Sequence, residues 1–218
     1  AIDGPAGAGK STIAKLVAAK LGFIYVDTGA MYRAMALYFL ENGIQPEDEE
    51  KVSAACGQID ISLRYQDGVQ QVILNGRDVS GKIRTEAVGN AASVVSAYRA
   101  VRQALLALQQ NLAKTSNVIM DGRDIGTCVL PNAQTKIYLT ASSHVRAVRR
   151  YKELTEKGQM CNLEEIEQDI IDRDYRDMHR EIAPLTQAAD AVLLDSSEMT
   201  IDQVVDGIIG AARERGLD

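Results

Sequence analysis

The sequence predicts an α/β fold, a doubly wound parallel sheet with an inserted subdomain of helices and a small antiparallel sheet, followed by a lid. Three observations carry that expectation. Short apolar runs, several closing on an acid, alternate with longer segments whose apolar residues recur at helical spacing. A glycine-rich stretch, Gly4-Pro5-Ala6-Gly7-Ala8-Gly9-Lys10-Ser11, joins the first apolar run to the first helical segment. Between Ile59 and Val79 polar and apolar residues alternate around two turn signals, Asp67-Gly68 and Asn75-Gly76, which marks an insertion into the winding.

Taken in order, Ala1-Ile2-Asp3 is a stub of strand, and a few upstream residues are expected to be missing from it. Ile13, Leu16, Val17 and Leu21 make the apolar stripe of the first helix, and Gly22 stops it. Phe23-Ile24-Tyr25-Val26 reads as a buried parallel strand ending at Asp27. Thr28 is the expected cap of a helix from Gly29 to about Asn42, and Pro46 to Glu50 opens another with acids at its positive end. Ile59, Ile61, Leu63 and Tyr65, then Val72-Ile73-Leu74, then Asp78-Val79 predict the antiparallel meander. Residues 83–113 read as helix in two pieces, broken near Ser96-Ala97-Tyr98.

Strands follow at 117–122 and 136–140, with Ser142 or Ser143 capping the next helix. Arg149 to Asn162 is polar, contains Gly158 and reads as a mobile connector. A charged helix runs from Leu163 to Glu181 and ends before Pro184; Ala191 to Leu194 is the last strand. Thr200-Ile201-Asp202-Gln203 opens a closing helix as a capping box, with Val204, Val205, Ile208 and Ile209 inward. The chain therefore divides into a core (1–27, 114–148 and 182–218), an insert (28–113) and a lid with its following helix (149–181), all within one domain 1–218.

Clustered glycines cost backbone entropy and need a reason. The spacing Gly4-(four residues)-Gly9-Lys10-Ser11 supplies one, because it is that of a P-loop, whose backbone N–H groups wrap nucleotide phosphates. In that reading residues 4–12, from Gly4 to Thr12, hold ATP. Lys10 reaches the β- and γ-phosphates, and the Ser11 hydroxyl ligates Mg²⁺.

Composition removes several classes. The chain has 218 residues, 46% hydrophobic and 25% charged, ordinary for a soluble domain. No run approaches the ~18 apolar residues of a membrane span, and no signal peptide is visible. Cys56, Cys128 and Cys161 are odd in number and scattered, which reads as reduced thiols of a cytoplasmic protein. A net charge of −6 argues against nucleic acid as partner.

A P-loop alone serves motors, switches and kinases alike. A guanine-reading switch carries an Asn-Lys-x-Asp box; Asn75-Gly76-Arg77-Asp78 lacks the lysine and lies on the meander. Arginines favour a kinase: Arg33, Arg102, Arg123, Arg173, Arg176 and Arg180 punctuate an acidic chain, and guanidinium forks match phosphate oxygens. An acceptor phosphate is already an anionic nucleophile and needs no general base. That suits a chain whose only histidines are His144 and His179. Arg173 with Asp169 and Asp177 is also an ordinary i,i+4 pattern of a solvated helix, although Arg173, Asp177 and Arg180 share one face. A kinase for another monophosphate or small metabolite, and a nucleotide-binding protein without catalysis, both remain open on these residues.

Five stretches sharpen the reading: the P-loop, Asp27-Thr28-Gly29-Ala30-Met31-Tyr32-Arg33, Asp78-Val79-Ser80 with Ile83-Arg84-Thr85, Asp121-Gly122-Arg123-Asp124-Ile125-Gly126-Thr127, and Arg173-Asp174 through Arg180. In this order they resemble the bacterial cytidylate kinases, P-loop nucleoside monophosphate kinases, over essentially the whole chain. The resemblance implies Mg²⁺-assisted in-line transfer of the γ-phosphoryl group of ATP to CMP or dCMP by a monomer. It makes the insert the monophosphate-binding subdomain. It implies that Arg33, Arg123 and Arg180 hold the CMP phosphate beside Thr28, that Ser93, Arg102 and Asp124 contact cytosine, and that Arg173 and Asp177 contact the ribose. Arg149 and Arg150 fall in the lid over ATP, Asp121 supports Mg²⁺ through water, and Lys10, Arg123 and Arg180 form the catalytic set. Ser11 replaces a glycine found in some relatives, and Met178-His179 replaces more polar neighbours.

Overall fold

The computed structural model describes residues 1–217. Its strands and helices run in the order β1 (Ile2–Asp3), α1 (Lys10–Leu21), β2 (Ile24–Asp27), α2 (Thr28–Glu41), α3 (Glu49–Ala55), β3 (Ile61–Gln66), β4 (Val69–Leu74), β5 (Arg77–Asp78), α4 (Glu86–Val95), α5 (Arg99–Thr115), β6 (Val118–Gly122), β7 (Ile137–Thr140), α6 (Ser143–Glu156), α7 (Leu163–His179), β8 (Val192–Asp195) and α8 (Ile201–Glu214). A five-stranded sheet has the order β2-β6-β1-β7-β8, and β3, β4 and β5 form a separate sheet. The connections from β1 to β2 and from β7 to β8 run through α-helices, as the alternating pattern requires.

The chain divides into two compact units, residues 1–22 with 121–218, and residues 23–120. Strand β6 crosses the boundary. In the first unit β1 pairs in parallel with the end of β6 and with β7, placing Ile2 opposite Asp121 and Ile137. Strand β8 pairs in parallel with β7. Ile13 and Val17 of α1, Leu139 of β7, and Val204, Val205 and Ile208 of α8 are buried. Each such side chain contributes about 1.5–3 kcal/mol on leaving water.

In the second unit α2 is buried on most sides, through Ala30, Met31, Ala34, Met35, Ala36 and Phe39, and so behaves as the unit's central helix. It packs against α4, α5 and the meander. Val95, Val101, Leu105 and Met120 complete this core.

Several local expectations need correction. Asp27, not Thr28, caps α2: its carboxylate accepts the Ala30 N–H at 2.9 Å, and Thr28 is the first helical residue. Both residue types cap well, and the helix starts one residue earlier than a Thr28 cap requires. The expected connector from Arg149 is helical as far as Glu156, because Ser142 caps α6 and Glu153 ties Arg150 and Lys157 along its surface. Only residues 157–162 connect it to α7, which Asn162 caps and which ends at His179. A wide π-helical turn over Ile125–Val129 was not legible as an element; Val129 and Leu130 N–H groups bond back five residues, to Asp124 and Ile125.

Candidate active site

The glycines of the loop have individual reasons. Gly4 sits at φ +151°, where a Cβ would stand 1.9 Å from the Leu139 carbonyl oxygen, so no side chain fits beside β7. Gly9 adopts the left-handed conformation just before α1 starts at Lys10. The loop thus ends on a helix N-terminus, with unpaired N–H groups and the positive end of the helix dipole.

Lys10 is buried and donates from Nζ to the Pro5 carbonyl at 2.7 Å. Burial, followed by the Arg123 cation, pushes its ammonium well below the ordinary lysine range, while Asp121, Asp3 and Asp177 pull it back up. A phosphate bound beside it would pull it back up as well. Ser11 donates from Oγ to Asp121 Oδ2 at 2.8 Å, joining the start of α1 to the end of β6. This hydroxyl and carboxylate, adjacent and oxygen-only, are the donor set a hard divalent cation prefers.

The segment after β6 is held from below. Asp3 accepts the Ile125 and Gly126 N–H groups on its two carboxylate oxygens, each at 2.7 Å. Its carboxyl is raised by burial, against those two N–H groups. Gly126 has no room for a side chain in comfort, because a Cβ would lie 3.1 Å from Lys136 Cδ. Arg123 and Asp124 project from this fixed turn toward α7 and its exit. Arg123 donates from Nε to Asp177 Oδ2 at 2.8 Å, and Arg180 donates from Nη2 to Asp124 Oδ1 at 3.4 Å. Arg180 also donates from Nε to the Ala183 carbonyl at 2.6 Å. Burial drives the Asp177 carboxyl up, but Arg123, with Arg173 and Arg180, overrides it and holds it below the usual range. Arg123, Arg173, Asp177 and Arg180 therefore form one electrostatic group despite 57 residues of separation at its extremes, 123 to 180.

The two arginines expected in a lid go elsewhere. Arg149 donates to the Ser196 carbonyl at 2.8 Å, after β8, and Arg150 pairs with Glu153 on the exposed face of α6. Sequence reasoning missed Arg146, one turn earlier and buried, which bonds Ala6 of the loop at 2.8 Å and Asp174 of α7 at 2.6 Å.

The second unit holds the remaining candidates. Thr28 is buried at the start of α2. Arg33, a turn further along, donates to the Ile83 carbonyl at 3.2 Å and lies over Gly89, where a Cβ would meet its Nη1 at 3.0 Å. Arg84, quoted in the sequence only within a family stretch and given no role there, pairs with Asp27 at 2.6 Å. Gln70 of the meander brackets the Asp27 backbone, accepting its N–H at 2.9 Å and donating to its carbonyl at 3.3 Å. Ser93 on α4 and Arg102 on α5 converge on Ser96: Ser96 Oγ donates to the Ser93 carbonyl at 3.0 Å, and Arg102 donates to the Ser96 carbonyl at 3.3 Å. The Arg102 guanidinium also lies 5.8 Å from the Tyr32 ring centroid.

Such an arrangement binds polyanions: a glycine loop on a helix N-terminus, a buried lysine, and arginines kept in place by carboxylates. Comparison with known proteins agrees with it. The family model described as cytidylate kinase matches residues 1–214. The chain is 51% identical over 209 residues to a cytidylate kinase of Caldicellulosiruptor bescii, spanning 96% of this chain and 92% of that one. It is 52% identical over 205 residues to the cytidylate kinase of Leuconostoc mesenteroides, spanning 94% and 92%. It is 50% identical over 215 residues to that of Ligilactobacillus salivarius, spanning 99% and 96%. Matched from the loop through the last helix, the chain belongs to the cytidylate kinase family.

Proposed function

We propose that this enzyme transfers the γ-phosphoryl group of ATP to CMP or dCMP, releasing ADP and CDP or dCDP. The observation that carries the reading is the grouping of Lys10, Ser11 and Asp121 with Arg123, Asp124, Asp177 and Arg180 in one unit. It sets a donor-phosphate loop beside arginines suited to a second phosphate.

Phosphoryl transfer asks mainly for alignment and for positive charge around the transferring group. Residues 4–12 cradle the ATP phosphates, and Lys10 leaves the Pro5 carbonyl for the β/γ oxygens. Ser11 and, through water, Asp121 would hold Mg²⁺, which would supply charge neutralisation for the transfer. Arg33, Arg123 and Arg180 grip the acceptor phosphate with Thr28 alongside. Arg173 and Asp177 take the ribose, while Ser93, Arg102 and Asp124 read the cytosine. Arg149 and Arg150 belong to the lid and reach ATP only after exchanging their present partners. The acceptor oxygen is deprotonated above its second pKa, near 6, so no side chain acts as base.

The resemblance supports a monomer working on small molecules in the cytoplasm. Among the described residues no helix is long and apolar enough to cross a membrane. An ADP-release assay with ATP and Mg²⁺, run against CMP, dCMP, UMP, AMP and no acceptor, tests the reading. CMP and dCMP should give the highest kcat/KM; equal rates with and without CMP would overturn it.

A further inference from the structure

We propose that Arg146 and Asp174 are a positioning pair for the donor nucleotide, a buried strut that sets the direction of a phosphate-binding N–H in the loop. The inference rests on the donor-binding reading of residues 4–12. The Arg146 guanidinium serves acceptors on three elements at once: the Ala141 carbonyl at the end of β7 from Nε at 2.8 Å, the Ala6 carbonyl from Nη1 at 2.8 Å, and Asp174 Oδ2 on α7 from Nη2 at 2.6 Å. A planar fork with three fixed acceptors has one orientation.

The Ala6 contact matters because a peptide unit is planar and trans. Fixing the Ala6 carbonyl toward Arg146 turns the N–H of Gly7, across the same peptide plane, to the opposite side. Gly7 itself has φ +74°, and a Cβ placed there would lie 3.4 Å from Arg146 Cβ and 3.8 Å from Cγ. The arginine stem therefore covers one side of the loop while its head holds a carbonyl. The other side is left to the phosphates.

Asp174 completes the strut. It spends Oδ2 on Arg146, while its Oδ1 is buried without a hydrogen-bond partner. A buried ion pair is a poor source of stability, and an under-satisfied one poorer still, whereas holding a geometry is a role such pairs are suited to. Asp174 is also flanked on α7 by Arg173 and Asp177, the residues assigned to the acceptor ribose. The strut thus links the donor loop to the helix that carries acceptor residues.

The test uses the full chain with Arg146→Lys, Asp174→Asn and the double variant. ATP and CMP affinities are measured separately by calorimetry, with melting temperature and the amide NMR signal of Gly7. Lysine keeps the charge but cannot reach three acceptors, and asparagine keeps the shape without the charge. Arg146→Lys should weaken ATP by about tenfold or more, a loss of the size a displaced positioning group gives, and leave CMP within about twofold. Asp174→Asn should weaken ATP in the same direction and shift the Gly7 amide. The double variant should be little worse than Arg146→Lys, since the two act as a unit. If Arg146→Lys fails to fold, Asp174→Asn decides alone.

ATP affinity within twofold of wild type in a folded variant overturns the strut, as does an equal loss for both ligands alongside a lowered melting temperature. Because ATP binding is read without an acceptor, the strut stands if the wild type binds ATP but leaves CMP unphosphorylated; that result would sink the CMP kinase reading alone.

Discussion

Arg123 and Asp177 form an ion pair at 2.8 Å between the turn after β6 and the last turn of α7, with the aspartate buried and the arginine side chain about a fifth exposed. The carboxylate aims the guanidinium without hiding it. Its neighbours Arg173 and Arg180 add to the field that keeps Asp177 ionised. If the acceptor phosphate binds here as proposed, it meets cations already oriented, which lowers the reorganisation left for the reaction.

That depressed carboxyl makes a pH prediction. A group whose folded pKa lies below its unfolded value, here 3.8, stabilises the fold fully above that value and loses the contribution as pH falls through the folded one. Wild type should therefore show an acid-dependent loss of stability below about pH 4 that Asp177→Asn partly lacks, from a lower plateau. Urea midpoints measured from pH 3 to 7 check it; superimposable acid branches would refute it.

Lys10→Ala should leave a folded protein and lower kcat by about 10²-fold or more, since it removes a cation aimed at the transferring charge. Removing a buried ammonium whose burial is costly should not reduce stability by much. Circular dichroism and steady-state kinetics decide it together: a native spectrum with near-normal turnover rules the role out.

Asp124→Asn should lower activity on CMP and narrow the gap to UMP. A carboxylate accepts the N4 amino group of cytosine but is left facing the O4 acceptor of uracil, a mismatch worth roughly 1–3 kcal/mol, whereas an amide can turn to donate. The change also frees Arg180 from its 3.4 Å partner, so KM for both acceptors should rise. An unaltered CMP/UMP ratio would mean that Asp124 does not read the base.

Gly4→Ala should be the most destabilising small substitution in the loop. The added methyl would overlap the Leu139 carbonyl oxygen at 1.9 Å, on backbone that cannot rotate away. A loss of about 3 kcal/mol or more is expected from the overlap and the left-handed-side φ together. Chemical denaturation measures it, and a variant as stable as wild type would show that β7 yields.

Residues 157–162, between two helices held by their own caps and ion pairs, should be the segment that responds to ligands. Their amide exchange should slow when ATP and CMP, or a bisubstrate analogue, are bound. Unchanged exchange there would count against a lid in this part of the chain.

The parts of the site that were legible in the sequence are those whose chemistry is contiguous. Gly4, Gly9, Lys10 and Ser11 announce themselves because consecutive backbone donors must come from one stretch of chain. Asp121 was named only through the family resemblance, as a water-mediated support for Mg²⁺, and its direct hydrogen bond from Ser11 was not legible, because 110 residues separate the two. Arg146 was illegible for the same reason. Its partners lie at 6, 141 and 174, and in sequence it is one more arginine among Arg149 and Arg150 on an amphipathic helix. The π-helical turn gave no signal either, since what winds it is the carboxylate of Asp3, more than a hundred residues away.

Asp3 places a limit on anyone who would redesign this enzyme for another base. Its two oxygens each hold one N–H of the turn, so the backbone from Asp124 to Val129 is registered against the strand that launches the phosphate loop. Lengthening or shortening that turn would shift donor and acceptor machinery in one stroke. If Asp124 reads the base as proposed, a side-chain change there leaves this registration intact, whereas an insertion or deletion in the turn breaks it.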